Sequence, residues 1–209
     1  MFFKRKSSVL DLIDSRRSIN NFDASKSIDE STITELIGYA TKSPTAFNVQ
    51  NWHFVAVHSP VQKAKLKSLA YGQQKVEDAA VTFIVSGLLE PQKLIARSLE
   101  ASQEKKVLSK QMVEGWIGAV TNMYGENPTL QRDEAIRSAS LGTMTMMLAA
   151  QEMGMVSCPM IGFDPNGVKE AFGLPDTAIP AMLIPVGYEG DDNWPQKPRL
   201  DIKDVLKIV

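Results

Sequence analysis

Cysteine is nearly missing from this chain. Cys158 stands alone in 209 residues, which excludes an internal disulfide framework and fits a reducing compartment. Net charge is missing as well: 23 Lys and Arg against 24 Asp and Glu leave a formal charge of −1. That balance argues against bulk attraction to nucleic acid or to an anionic membrane, so any bound anion must be caught by a local cluster. No run approaches the ~20 apolar residues of a membrane span. The basic start "MFFKRKSSV" leads into no apolar stretch, so it does not read as a secretory signal. The expectation is a soluble, cytoplasmic protein.

Several chemical signatures are also lacking. The chain carries no G-x-G-x-x-G, no P-loop, no G-x-S-x-G and no His or Cys pair at metal spacing. His53 and His58 fall in one expected strand, where five residues of separation point them to opposite faces, so no metal site is expected. Cys158, beside a buried-looking strand, reads as a core thiol rather than a nucleophile. No catalytic side chain is assigned. An enzyme without nucleophile, acid–base pair or metal borrows its chemistry from an organic cofactor, and attention turns to phosphate-binding features.

What is present is a core-forming composition, 44% hydrophobic, read as a single domain over 1–209 whose residues 189–209 form a Pro-rich, charged arm. "LDLIDSRRS" reads as a short helix ending near Arg16 and Arg17. A second helix follows a capping box of Ser27 with Glu30 and turns Ile33, Leu36, Ile37 and Ala40 to one face. "HFVAVH" alternates as a strand, a helix follows from Pro60 to Tyr71, and "AVTFIVSG" is a near-continuous apolar run, as a buried strand is. Residues 90–125 are helical in composition with a poorer amphipathic pattern, ending in a loop at "NMYGENP". From Pro128 to about Met153 a long helix is expected behind Asn127. A short strand near 155–160, the helix "NGVKEAFG" and the strand "IPAMLIPVGY" complete the order. The order of elements reads as mixed α and β, with helices covering a central sheet. Around the long helix, Ser138, Ala139, Gly142 and Ala149 permit close approach, while Met144, Met146, Met147 and Leu148 make it apolar on most sides. It is either buried within its own chain or the heart of a homodimer, with the arm reaching across the partner.

Two basic clusters stand out. "SRRSINNF" places Arg16 and Arg17 beside Ser18, donors suited to a phosphate dianion, and "PQKPRLDI" places Lys197 and Arg199 near the other end. Each alone is an ordinary solvated terminus. Together with the amide-rich loop "KSPTAFNVQNWHF" and the glycine of "CPMIGFD" they form a specific pattern. With "YGQQKVEDAAVTFIV", "GFDPNGVKEAFGLP" and "IPVGYEGDDNWPQKPRL", they occur in an order that resembles the FMN-dependent nitroreductase family along essentially the whole chain, most of all its small bacterial NAD(P)H nitroreductases.

The resemblance implies an α+β fold on a central mixed, mostly antiparallel sheet flanked by helices, in an interlocked homodimer with a long central interface helix and with FMN, bound non-covalently, at the subunit interface. It implies that Arg16, Arg17, Ser18, Lys197 and Arg199 hold the ribityl phosphate, and that Pro44, Thr45, Ala46 and Asn48 come from the partner chain. Gln73 would bond the pyrimidine edge of the ring, and Ile161 and Gly162 would pass close to N5. Trp52 and Gln50 would orient the loop. The family places Lys or Arg where this chain has Asn20, and Lys75 is the candidate to supply the missing charge. The implied activity is ping-pong reduction of nitroaromatics, quinones or related electron-poor acceptors by NAD(P)H, with chemistry at flavin N5. Trp116, Met123 and Tyr124 are candidates for the acceptor pocket or, equally, for core packing. Other flavin reactions on the same scaffold, such as dehalogenation or flavin destruction, and flavin storage or regulation without nicotinamide turnover, are the alternatives.

Overall fold

The sheet is organised by β2 (Val81–Leu88), whose residues are buried from Val81 to Gly87. A strand covered on both faces needs apolar side chains on both, which explains the run "AVTFIV", whose one polar side chain, Thr82, donates to Val76 O at 2.9 Å. In this computed structural model, which describes residues 8–209, β2 pairs antiparallel with β1 (Trp52–Val57) from Trp52–Gly87 to Val57–Thr82. On its other side it pairs antiparallel with β4 (Ala178–Gly187), with a register irregularity between Val85 and Ser86 opposite Pro180. Proline cannot donate to a ladder, so it is tolerated at such a break. The strand order is β1-β2-β4-β3, where β3 is the short Val156–Ser157. All strand pairs are antiparallel; parallel pairing enters, among the described residues, through the isolated bridge Ser18–Ser157. The stretch 1–7, which carries most of the reading against a secretory signal, lies outside the described residues.

Helices cover both faces. One layer holds α2 (Glu30–Ala40) and the long α7 (Pro128–Glu152), packing Leu36, Ala40, Ala139, Met146 and Ala150 on Val81, Phe83 and Val85. The other holds α3 (Pro60–Leu69) and α8 (Pro165–Ala171), packing Leu66 and Val168 on Val57, Ile84 and Leu183. Gly87 has a steric reason: a Cβ there would overlap the backbone of Ala135, so helix and strand meet backbone to backbone. A third cluster joins α5 (Pro91–Glu104) and α6 (Lys110–Tyr124) through Ile95, Leu99, Val113, Val120 and Tyr124, with Val49 of the preceding loop.

Some expectations need correction. α2 is capped by Asp29, whose carboxylate accepts from Thr32 N at 2.8 Å, not by Ser27. Region 90–125 forms two helices, and α6 runs through Tyr124 before the turn at 125–127. His58 lies beyond the end of β1. Within one chain α7 is buried along one side only. Its small residues serve internal packing, Gly142 lying against Ala40, Trp52 and Phe54. Leu141 (41% exposed) and Met144 (37%) face outward. Beside them a groove of about 270 Å³ runs past Val9, Leu12, Tyr39, Leu148 and Met153. Among the described residues, no helix is long and apolar enough to cross a membrane.

Candidate functional site

The site begins where α1 (Val9–Ser15) stops. Arg16 is extended (φ −63, ψ 127), and its N–H closes the helix on Leu12 O. The chain then runs beside β3, with Ile19 N donating to Ser157 O at 3.1 Å and the Ile19 side chain fully buried. This anchor fixes Arg16, Arg17 and Ser18 in place.

The far end of the chain returns to the same spot. Asn193 Oδ1 accepts from the N–H groups of Asn20 (2.8 Å) and Asn21 (3.0 Å), while its Nδ2 donates to Asn21 O (2.8 Å). Gln196 Nε2 donates to Arg16 O at 2.9 Å. The clamp lays 194–199 over the first basic cluster. Arg17, Ser18, Trp194, Gln196, Lys197 and Arg199 then surround a small cavity of about 50 Å³. The two basic clusters read from the sequence therefore meet. Asn193 and Gln196 were not singled out by sequence reasoning; an amide that clamps backbone so far away in sequence leaves no local pattern.

Two buried guanidinium nitrogens, Arg16 Nη1 and Arg17 Nε, have no hydrogen-bond partner among the described residues. Buried donors of this kind are costly unless an acceptor satisfies them. Several donors around a small cavity fit the oxygens of a phosphate, so the residues present fit the implied group. Arg17 also pairs with Glu189, on the side of a second cavity of about 240 Å³ that includes Ser15, Ile19 and Gln151.

Asn20 and Lys75 are brought into contact: Lys75 Nζ donates to Asn20 Oδ1 at 2.7 Å and lies 3.8 Å from Cys158 Sγ. Burial pushes the Cys158 thiol above the usual thiol range, against the opposing pull of Lys75, Lys197 and Arg16. Cys158 is thus a core thiol, as expected, but cations from three parts of the chain face it. Gln73 and Gly162 also meet. Gln73 Nε2 donates to Gly162 O (2.6 Å) and Ala70 O (3.1 Å), and a Cβ on Gly162 would stand 3.1 Å from that nitrogen. Ile161 beside it is 81% exposed.

The Pro44 loop lies elsewhere. Ser43 Oγ bonds Thr145 Oγ1 (2.6 Å) and Leu141 O (3.2 Å), which docks the loop on the outward stripe of α7. A short 3-10 turn (Ala46–Asn48) follows Thr45, whose Oγ1 accepts from Gln50 N at 3.0 Å. Phe47, Asn48 and Gln50 all hold positive φ (52, 56 and 50°), strain of order 1 kcal/mol or more per residue that is characteristic of functional loops. Among the described residues no hydrogen bond or ion pair joins Pro44, Thr45, Ala46 or Asn48 to the basic cluster.

The three acceptor-pocket candidates separate. Trp116 packs edge-on against Phe47 (5.9 Å between centroids), and Met123 is exposed. Tyr124, 3% exposed, belongs to the core: its Oη donates to Glu134 Oε2 at 3.2 Å. Glu134 is a buried carboxylate that also accepts from Ser138 Oγ at 3.1 Å and pairs with Arg137. Burial, reinforced by Glu134, pushes the Tyr124 phenol up to about 12. Among the described residues, no group of His, Cys, Asp or Glu is arranged to hold a metal.

Comparison with known proteins agrees with this geometry. Residues 13–188 match the model of the nitroreductase family. Bacillus subtilis MhqN, whose name assigns it as an NAD(P)H nitroreductase, is 33% identical over 199 residues, covering 95% of this chain and 96% of that one. The crystal structure of B. subtilis ydfN, assigned as a nitroreductase, superposes with a TM-score of 0.88 at 31% identity, covering 95% and 97% of the two chains. A structure from Exiguobacterium sibiricum, assigned as a nitroreductase and solved in complex with FMN, gives 0.90 at 27% identity, covering 97% and 98%. A match along this much of the chain, on a fold whose two ends build one basic pocket, establishes the relationship: the chain belongs to the nitroreductase family.

Proposed function

We propose that this protein is an FMN-dependent oxidoreductase that uses NAD(P)H to reduce nitroaromatics, quinones or related electron-poor acceptors, working in the cytoplasm as a homodimer with FMN at the subunit interface. The observation that carries the reading is the meeting of Arg17 and Ser18 with Lys197 and Arg199 from the far end of the chain around one small cavity, with one guanidinium nitrogen of Arg17 and one of the adjacent Arg16 buried without an acceptor among the described residues. The FMN in the Exiguobacterium relative and the NAD(P)H in the name of MhqN support the same ligands.

When bound, FMN supplies a ring that accepts hydride from NAD(P)H and passes reducing equivalents to the acceptor. The chain's own residues bind and orient. Arg16, Arg17, Ser18, Lys197 and Arg199 hold the phosphate. Lys75, steadied by Asn20, would supply a positive charge to the bound flavin. Gln73 has committed its N–H to Gly162 and Ala70, which leaves its carbonyl oxygen to accept from a ligand N–H. Gly162, without a side chain, lets the backbone come close. No side chain need serve as a catalytic acid or base in the reductive step.

The dimer supplies the missing pieces. Pro44, Thr45, Ala46 and Asn48 follow Ser43, which is docked on α7, and have no bond to their own basic cluster among the described residues, which supports a role in the partner's site. Leu141, Met144 and the groove beside them form the contact surface. The arm is held to its own chain as far as Gln196 by the Asn193 and Gln196 bonds, and its exposed Leu200, Ile202, Val205 and Leu206 reach across. The test is mass and flavin content measured together: a dimer with FMN equimolar to chain is expected. A monomer that holds FMN tightly would refute the shared site.

A further inference from the structure

Glu189 has no place in the binding scheme above, yet it is positioned as firmly as any residue in it. Its backbone bridges Phe22, the next residue's N–H donates to Asn21 O at 2.9 Å, and the preceding carbonyl, Tyr188 O, accepts from Asp23 N at 2.9 Å. Arg17 is held as firmly from the other side, by the end of α1 and by the bridge from Ser18 to Ser157. The pair therefore joins two fixed backbones, although each side chain keeps 37% of its surface exposed.

Arg17 lines two cavities. On one side lies the small basic cavity with Ser18, Lys197 and Arg199; on the other, the larger one with Glu189, Ser15 and Gln151. Glu189 lines only the second, and no carboxylate lines the first. Glu189 takes one terminal nitrogen of Arg17, while Arg17 Nε stays buried without a partner. A guanidinium has donors enough for both neighbours, so the carboxylate need not leave when an anion enters.

We infer that Glu189 is an internal counter-anion of the phosphate cluster, placed behind Arg17 to weaken and thereby set its affinity for a phosphate-bearing ligand. The inference rests on the reading that the cluster holds the phosphate of FMN. Five cationic side chains, Arg16, Arg17, Lys75, Lys197 and Arg199, crowd this corner of the fold, and Glu189 offsets one of them in every state of the protein. Repulsion between a carboxylate and a phosphate dianion across the width of one guanidinium, moderated by water and salt, corresponds to a roughly three- to tenfold change in dissociation constant.

Glu189→Gln tests this directly, because the amide oxygen still accepts from Arg17 while the charge is gone. Holoprotein is diluted in steps and free flavin is read by its fluorescence, for FMN and, after exchange, for riboflavin, which lacks the phosphate. The variant is expected to hold FMN roughly three- to tenfold more tightly than the wild type, to hold riboflavin equally, and to lose the difference as salt is raised. FMN affinity that is unchanged or weaker in the variant would overturn the inference; weaker binding would assign Glu189 to orienting Arg17. Wild-type protein that holds riboflavin as tightly as FMN would instead overturn the phosphate reading itself. The two failures are thus distinguishable.

Discussion

Replacing Tyr124 with Phe separates the two roles that residue was open to. In the structure its hydroxyl donates to Glu134 Oε2 of α7 at 3.2 Å, while its ring belongs to the cluster that joins α5 and α6. Glu134 keeps its pairing with Arg137 and its bond from Ser138, so Tyr124→Phe does not strand the buried carboxylate. The ring and its packing stay. The loss is one hydrogen bond to a charged group, about 1.5–3 kcal/mol, or several degrees in Tm for a chain of this size. The effect has a pH signature. The phenol titrates at about 12 in the fold and near ~10 in the unfolded chain. The native state therefore holds the proton more tightly, so the stabilisation is fully present below pH ~10 and is lost as pH rises through ~12. The gap between wild type and variant should be constant from neutral pH to about 10 and close above it. Urea unfolding at fixed protein concentration, repeated across this range, measures it. Acceptor KM should be unchanged. Equal stability of the two proteins together with a several-fold change in KM would refute the core assignment and return Tyr124 to the pocket wall.

Four further outcomes follow from the same geometry. Lys75→Gln should lower the two-electron potential of the bound flavin by tens of millivolts, with about 30 mV corresponding to ~1.4 kcal/mol of lost charge stabilisation; an unchanged potential in a dye-equilibration titration would reject Lys75 as the substitute for a cation at Asn20. Gly87→Ala should destabilise by about 3 kcal/mol or more, because the overlap is with the backbone of Ala135 and no side chain can turn aside; soluble, fully stable protein would contradict the packing. Leu141→Lys should release monomers and flavin together in light scattering and absorbance, whereas monomers that keep their flavin would show the loop is not shared. Gly162→Ala should shift Gln73, whose Nε2 would stand 3.1 Å from the new Cβ, and weaken FMN and riboflavin alike; a selective loss of FMN would contradict a role at the ring.

Much of the fold could be read from local chemistry. Asn127 followed by Pro128 announces α7, whose Leu130 N–H the Asn127 side chain accepts at 3.0 Å. The apolar run of β2 announces a strand buried on both faces. The start of α2 was misread because Ser27 with Glu30 and Asp29 with Thr32 both satisfy capping spacing, and Ile28, buried between the two candidates, goes into the core and leaves Asp29 as the cap. For the site, the basic residues announced themselves by clustering, and the glycine and amides by the family pattern. Asn193, Glu189 and Glu134 did not. Each is defined by a partner brought close only by folding or by a packed helix, and a polar residue in a charged tail or at a helix start looks solvated until that packing exists.

The most direct test of the central claim is the visible spectrum of the purified protein under anaerobic conditions as NADH and then NADPH are added. A flavin band that bleaches with either nucleotide and returns with a quinone or a nitroarene is the expected result. A band that stays oxidised would contradict the reductase activity and leave flavin binding, while a colourless protein that takes up no FMN would contradict the account from the phosphate cluster upward.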